Sequence, residues 1–122
     1  MRRILLSITL VLGLALGVSA CSTSAEPVAL DPATVVIDVR TPAEFASGHL
    51  EGAVNIDVQS ADFDARISEL DADGTYFVYC RSGNRSGQAI ARMQSLGFGD
   101  MTNGGGVENA SAVSGIPIVT GQ

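Results

Sequence analysis

Lysine is absent from this chain. All seven basic residues are arginines, set against thirteen acidic ones, and the formal net charge is −6. A basic patch for nucleic acid is therefore excluded, and so is a polybasic route to an anionic membrane. Negative charge spread over a small chain favours solubility and says little about partners. Tryptophan is also missing, there is one histidine, and there are two cysteines, Cys21 and Cys80. The 122 residues leave room for one small domain and no second one. No internal repeat is present, and the one biased tract is Gly104-Gly105-Gly106.

What is there begins with an address. Arg2 and Arg3 precede an apolar run from Ile4 to Val18, broken by Ser7, Thr9 and two glycines. The run is shorter than the roughly 20 residues a bilayer-spanning helix needs and fits a secretory h-region. It ends at Val18-Ser19-Ala20-Cys21, which resembles the bacterial lipoprotein signal, with cleavage before the cysteine and lipid on Cys21. The expectation is a signal peptide over residues 1–20, a lipidated N-terminus and tether over 21–33, and a folded domain over 34–122. The protein is then exported and lipid-anchored to a bacterial membrane, on its periplasmic or extracellular face. Each buried methylene of an acyl chain contributes about 0.8 kcal/mol, so two or three chains hold a small domain firmly. The alternatives are an ordinary signal peptide cut near Ala20 and, third, a transmembrane anchor.

Two cysteines in an exported protein would ordinarily suggest a disulfide. An acylated Cys21 cannot pair, which leaves Cys80 as a lone thiol in an oxidising compartment. One histidine and one available cysteine cannot build a zinc site, so no metal and no cofactor is expected.

The rest of the chain alternates between strand and helix. Thr34 to Val39 is rich in β-branched residues and nearly continuous in apolar character, as in a strand buried on both faces of a parallel sheet. Thr41-Pro42-Ala43-Glu44 is a capping box with proline at the first helical position, and Gly48 can end that helix. Ala53 to Ile56 reads as a short strand. Phe63, Ile67 and Leu70 stand at helical spacing. Thr75 to Tyr79 is the strongest strand and runs into Cys80. Ser86 to Leu96 predicts a helix with Ala89, Ile90, Met93 and Leu96 inward, and a strand is expected near Phe98 to Thr102. The triple glycine is expected to break regular structure, and Ile116 to Val119 is a closing apolar piece. Such alternation argues for an α/β fold with a parallel, helix-flanked sheet.

The loop Cys80-Arg81-Ser82-Gly83-Asn84-Arg85-Ser86 carries the chemistry. It joins a strand end to a helix start, where open α/β sheets bind ligands. A loop with glycine at its centre can turn successive N–H groups inward, and the helix behind it adds about half a positive charge. The anion suited to this nest is the sulfur of Cys80. A free cysteine titrates near 8.5, so about 3% is thiolate at pH 7. Two units of lowering, about 2.7 kcal/mol, would make it mostly thiolate. The competing reading is a buried, inert thiol, which the polar flanking residues disfavour.

Two motifs together resemble the single-domain rhodaneses. One is Asp38-Val39-Arg40, Glu44-Phe45, Gly48-His49-Leu50 and Gly52-Ala53-Val54-Asn55-Ile56. The other is the cysteine loop followed by a helix and the glycine run, with Gly115-Ile116-Pro117-Ile118 at the close. The resemblance covers roughly Thr34 to Val119. It implies a small open, mostly parallel five-stranded sheet flanked by helices. It implies a sulfurtransferase with Cys80 as nucleophile and persulfide carrier, cradled by backbone amides from Arg81 through Ser82, Gly83, Asn84 and Arg85 to Ser86. Arg81 and Arg85 would bind donor anions or hold the loop in shape. A monomer is expected. It would take sulfane sulfur from a small donor such as thiosulfate and pass it to a thiol or cyanide-like acceptor, or to a protein. Related phosphatases and arsenate reductases of this fold place five residues between cysteine and arginine. Here there are four, and the tighter loop suits a sulfur atom better than a phosphate group.

Asp38, Arg40 and Glu44 read as a structural network at a strand end and helix start, with Glu44 as cap, and His49 as structural too. The chain lacks a tryptophan that is common after the family's glycine run, with Ala110 near that place. A second function class stays open: a non-catalytic or redox-sensing, membrane-anchored module that keeps the loop to bind an anion or a partner.

Overall fold

The computed structural model describes residues 29–121. The expectations for the signal segment, for Cys21 and for most of the tether lie outside these residues. Four parallel strands form the main sheet: β1 (Val35–Asp38), β3 (Val54–Asn55), β4 (Thr75–Cys80) and β5 (Asp100–Gly106), in the order β3-β1-β4-β5. The β-branched run in β1 and the aromatic and β-branched residues of β4 suit the two central, doubly covered positions. Their pairing sets Val35 to Asp38 against Tyr76 to Tyr79. A separate antiparallel pair joins β2 (His49–Leu50) to β6 (Ile118–Val119). The parallel sheet thus has four strands among the described residues rather than the five expected. The closing apolar piece pairs with His49 and Leu50 instead of joining it.

Helices cover both faces. Ile37, Val39, Val78 and Cys80 point to the side covered by α2 (Phe63–Ser68) and α3 (Asn84–Ser95), where Phe63, Ile67, Ala89 and Met93 complete one core cluster. Val36, Phe77 and Tyr79 point to the other side, where they meet Leu50 and Ala110. Ala110 lies on α4 (Val107–Ser114), a helix the sequence pattern does not announce. The alternation of strand side chains between faces assigns the two clusters. Helix α3 begins two residues earlier than its apolar pattern suggests. Leu96, expected inward, is 38% exposed just beyond the helix end.

The glycine run does not break regular structure. It lies inside β5, which continues to Gly106. The reason is crowding, not turn formation: a Cβ on Gly104 would come within 2.6 Å of the Phe77 ring, and one on Gly106 within 2.5 Å of the Arg81 carbonyl oxygen. The register shifts between Val78 and Tyr79, so Val78 faces Asn103 while Tyr79 faces Gly105 and Cys80 faces Gly106. Gly105 carries the positive φ, +74°, that this irregularity requires.

Helix α1 (Pro42–Ser47) starts as its sequence dictates. The Thr41 hydroxyl accepts from the Glu44 amide, and the Glu44 carboxylate accepts from the Thr41 amide. Gly48 ends the helix in an extended conformation, with its N–H bonded to the Phe45 carbonyl. Beside it, buried Asp38 holds buried Arg40 by Nε and Nη2, at 3.0 and 2.7 Å. Arg40 Nη2 also donates to the Gly48 carbonyl, and its guanidinium lies 5.8 Å from the centre of the Tyr79 ring. His49 donates from Nδ1 to the Phe45 carbonyl at 2.7 Å and stacks on the Phe45 ring.

Removing one partner of a buried ion pair strands the other charge. Asp38→Ala should therefore destabilise the domain by about 3–5 kcal/mol in urea unfolding. A double variant, Asp38→Ala with Arg40→Leu, should lose clearly less. Equal losses would show that the stranded guanidinium is not the cause.

Candidate active site

Cys80 is the last residue of β4, and its side chain is fully buried within the core cluster of the α2/α3 face. The sequence suggests a loop position, because the six residues that follow are polar or glycine. Arg81, Ser82 and Asn84 are exposed, Arg85 pairs with Glu44, Ser86 bonds Asn103, and the sulfur stays buried.

The segment from Arg81 to Gly83 folds over the sulfur and delivers the chain into α3. Gly83 has φ +90° and approaches Gly105 closely, at 3.3 Å from its own notional Cβ to the Gly105 Cα. A side chain there would collide with β5 and would also resist the left-handed backbone. The Gly83 amide donates to Cys80 Sγ at 2.8 Å, and the Ser86 hydroxyl lies 3.4 Å from it. Burial pushes the Cys80 thiol up. The Ser86 hydroxyl, and the amides of Ser86, Ser82 and Gly83, outweigh it, and the net displacement is downward. The bonds to the sulfur come from the Gly83 amide and the Ser86 hydroxyl, at the N-terminal end of a twelve-residue helix whose dipole has the favourable sign. Among the described residues, Arg81, Asn84 and Arg85 make no bond to the sulfur.

The two loop arginines have different fates. Arg85 faces Glu44 in a two-pronged pair, Nη1 to Oε2 and Nη2 to Oε1, both 2.8 Å. This geometry fixes the guanidinium plane as well as its position. Arg85 is thus the arginine that holds the loop in shape. Arg81 is exposed and its side chain makes no hydrogen bond among the described residues. Glu44 is more than the cap that the sequence indicates, because the same carboxylate serves the helix start and the cysteine loop.

One residue of this site lacks any sequence signal. Asn103, on β5, reaches over the first turn of α3: its Oδ1 lies 2.7 Å from Ser86 Oγ, and its Nδ2 donates to the Gly83 carbonyl at 3.2 Å. A lone asparagine before a glycine run reads as loop chemistry, and only the pairing of β4 with β5 brings it to the sulfur.

Arg85, and to a lesser degree Thr41, hold the Glu44 carboxyl at about 2, against an ordinary 4.5. A folded-state value below the unfolded one contributes stability that is complete above the unfolded value and is lost as pH falls through the folded one. Between about pH 4.5 and 2 the wild type should lose stability faster than Glu44→Gln, as followed by thermal melts. Parallel losses would remove this pair from the account of acid sensitivity.

Comparisons with known proteins agree with this geometry. A model of the rhodanese-like domain family matches residues 26–111. A sulfurtransferase from Allochromatium vinosum is 39% identical over 85 residues, spanning 70% of this chain and 78% of the relative. The thiosulfate sulfurtransferase PspE of Escherichia coli is 33% identical over 73 residues, 60% of this chain and 70% of the relative. A solved structure described as a rhodanese with anions from E. coli superimposes with a TM-score of 0.62 at 31% identity, covering 73% of this chain and all of that one. A strand that ends on a buried cysteine, a four-residue interval to an arginine, and these matches lead to one conclusion: the chain belongs to the rhodanese-like family of sulfurtransferase homologues.

Proposed function

We propose that this protein is a sulfurtransferase in which Cys80 carries sulfane sulfur as a persulfide, taken from a small anionic donor such as thiosulfate. The observation that carries this reading is the short bond from the Gly83 amide to Cys80 Sγ, joined by the Ser86 hydroxyl, at a helix N-terminus. Such a site stabilises negative charge on sulfur and leaves too little loop for a tetrahedral oxyanion.

The Cys80 thiolate attacks the outer sulfur of thiosulfate. A Cys80 S–S bond forms, the donor's S–S bond breaks, and sulfite leaves with the electron pair. A thiolate or cyanide then attacks the outer sulfur of the persulfide, and Cys80 departs as thiolate. Splitting the transfer into two displacements is ordinary nucleophilic catalysis. Because the sulfur is fully buried, a donor needs the loop after Cys80 to yield, and Arg81 and Ser82 are exposed residues of that loop. Arg81 would meet the anionic end of the donor, while Arg85, held by Glu44, keeps the rest of the loop in place. Thiosulfate is assigned to the relatives by their names; for this chain it is the donor to test first.

The proposal extends to location. Cys21 would carry lipid and hold the domain at a bacterial membrane outside the cytoplasm, a reading supported by the run from Arg2 to Cys21 alone.

Exposure to thiosulfate should add one sulfur atom to Cys80, seen by intact and peptide mass spectrometry, and Cys80→Ser should abolish both the adduct and transfer to cyanide. Full transfer by that variant would overturn the mechanism, and an unmodified Cys80 in the wild type would favour a module that binds without transferring. In bacteria, Cys21→Ser should move the protein from the membrane fraction to the soluble one and end incorporation of labelled fatty acid. Unchanged fractionation would exclude the lipid anchor.

A further inference from the structure

Ser86 has one hydroxyl proton and three acceptors around it. Its Oγ lies 2.7 Å from Asn103 Oδ1, 3.0 Å from the Gly83 carbonyl oxygen and 3.4 Å from Cys80 Sγ. The Gly83 carbonyl already receives the Gly87 amide and Asn103 Nδ2, each at 3.2 Å. With both lone pairs engaged, it is the poorest of the three acceptors. The contest for the proton is therefore between Asn103 Oδ1 and the sulfur.

The Asn103 amide is oriented from both ends. The Gly105 N–H donates to Oδ1 at 2.9 Å, and Nδ2 donates to Gly83. Turning the amide over would lose both bonds, so the atom facing Ser86 is an acceptor. Ser86 is fully buried beneath exposed Asn103, so in the intact protein its hydroxyl has no solvent partner.

We infer that Asn103 is a positioning residue that sets the reactivity of Cys80, holding the Ser86 hydroxyl proton while the sulfur is a thiol and yielding it when the sulfur is charged. In the thiol form the S–H donates to Ser86 Oγ, whose own proton points to Asn103 Oδ1. On ionisation the thiol proton leaves to solvent, and the hydroxyl turns so that its proton points to the sulfur. No bond within Ser86 breaks, and Oδ1 keeps the Gly105 N–H. The turn gives up the shorter hydrogen bond for the longer one, so Asn103 opposes ionisation while the loop amides promote it. The charged groups acting on this cluster are Arg85 from α3 and, through it, Glu44 from α1 and Asp57 from the segment after β3. A substitution at Asn103 alters none of them.

The inference rests on the reading of Cys80 as the working sulfur only in calling the thiolate its active form. Its readout is the titration of the thiol itself, so it can fail while sulfur transfer stands, and the reverse. The full chain is titrated by the ultraviolet absorbance of the thiolate, with the Cys80→Ser signal subtracted. Asn103→Ala should lower the thiol pKa by about half a unit to one unit, the worth of one ordinary hydrogen bond. The same change made in the Ser86→Ala background should shift nothing, because there is no proton left to contest. An unchanged or raised pKa in the wild-type background, or an equal fall in both backgrounds, would overturn the inference. If Asn103→Ala does not fold, Asn103→Asp keeps the acceptor and strengthens it. Its rise in thiol pKa should be larger with Ser86 present than in the Ser86→Ala background, and equal rises would count against the competition.

Discussion

The Glu44 carboxylate closes α1 and the cysteine loop at the same time. Oε2 takes the Thr41 amide and one prong of Arg85, and Oε1 takes the other prong. A capping carboxylate contributes to helix stability wherever it occurs. Here it also fixes one end of the loop whose Gly83 amide and Ser86 hydroxyl bond the Cys80 sulfur. The helix start after β1 and the helix start after β4 are therefore one assembly. Their common dependence on the pairing of those strands explains why the first motif and the cysteine loop belong together. Beneath them, the Asp38–Arg40 pair has a related role, holding the β1 end against the turn into β2.

The other side of the loop is set by what β5 lacks. Gly104 admits the Phe77 ring, and Gly106 admits the Arg81 carbonyl. Substituting either would push on a rigid neighbour, because a ring edge and a peptide oxygen have little room to give. Asn103 is the last residue of β5 before the register shifts: it stands opposite Val78, where its side chain reaches Gly83 and Ser86. The glycine run and the asparagine before it therefore set the roof over the sulfur as much as the loop's own residues do.

The features of this structure legible in the sequence are those that local chemistry settles. Thr41-Pro42-Ala43-Glu44 carries a helix start within four residues, and the β-branched runs of β1 and β4 mark buried strands without help from neighbours. What stays hidden depends on partners far along the chain. The pairing of Glu44 with Arg85 spans 41 residues. The strand through the glycines is held by contacts with Phe77 and Arg81, against the low strand propensity of glycine itself. Helix α4 has no apolar stripe, since its inward positions are the small residues Ala110 and Ser114. The burial of Cys80 is masked by polar neighbours, of which only Ser86 is itself buried. For the site, cysteine and loop are readable, the division of labour between Arg81 and Arg85 is left open, and Asn103 is invisible.

The order β3-β1-β4-β5 places the shortest strand and an irregular, glycine-ended one at the rims of the sheet. The rim strand β3 has two residues, and β5 ends in three glycines with an irregular register. Short or kinked rims make poor templates for a passing extended chain, which needs a long flat row of free amides and carbonyls to add to. The same glycines that admit Phe77 and the Arg81 carbonyl thus also shorten the flat edge to which another extended chain could add.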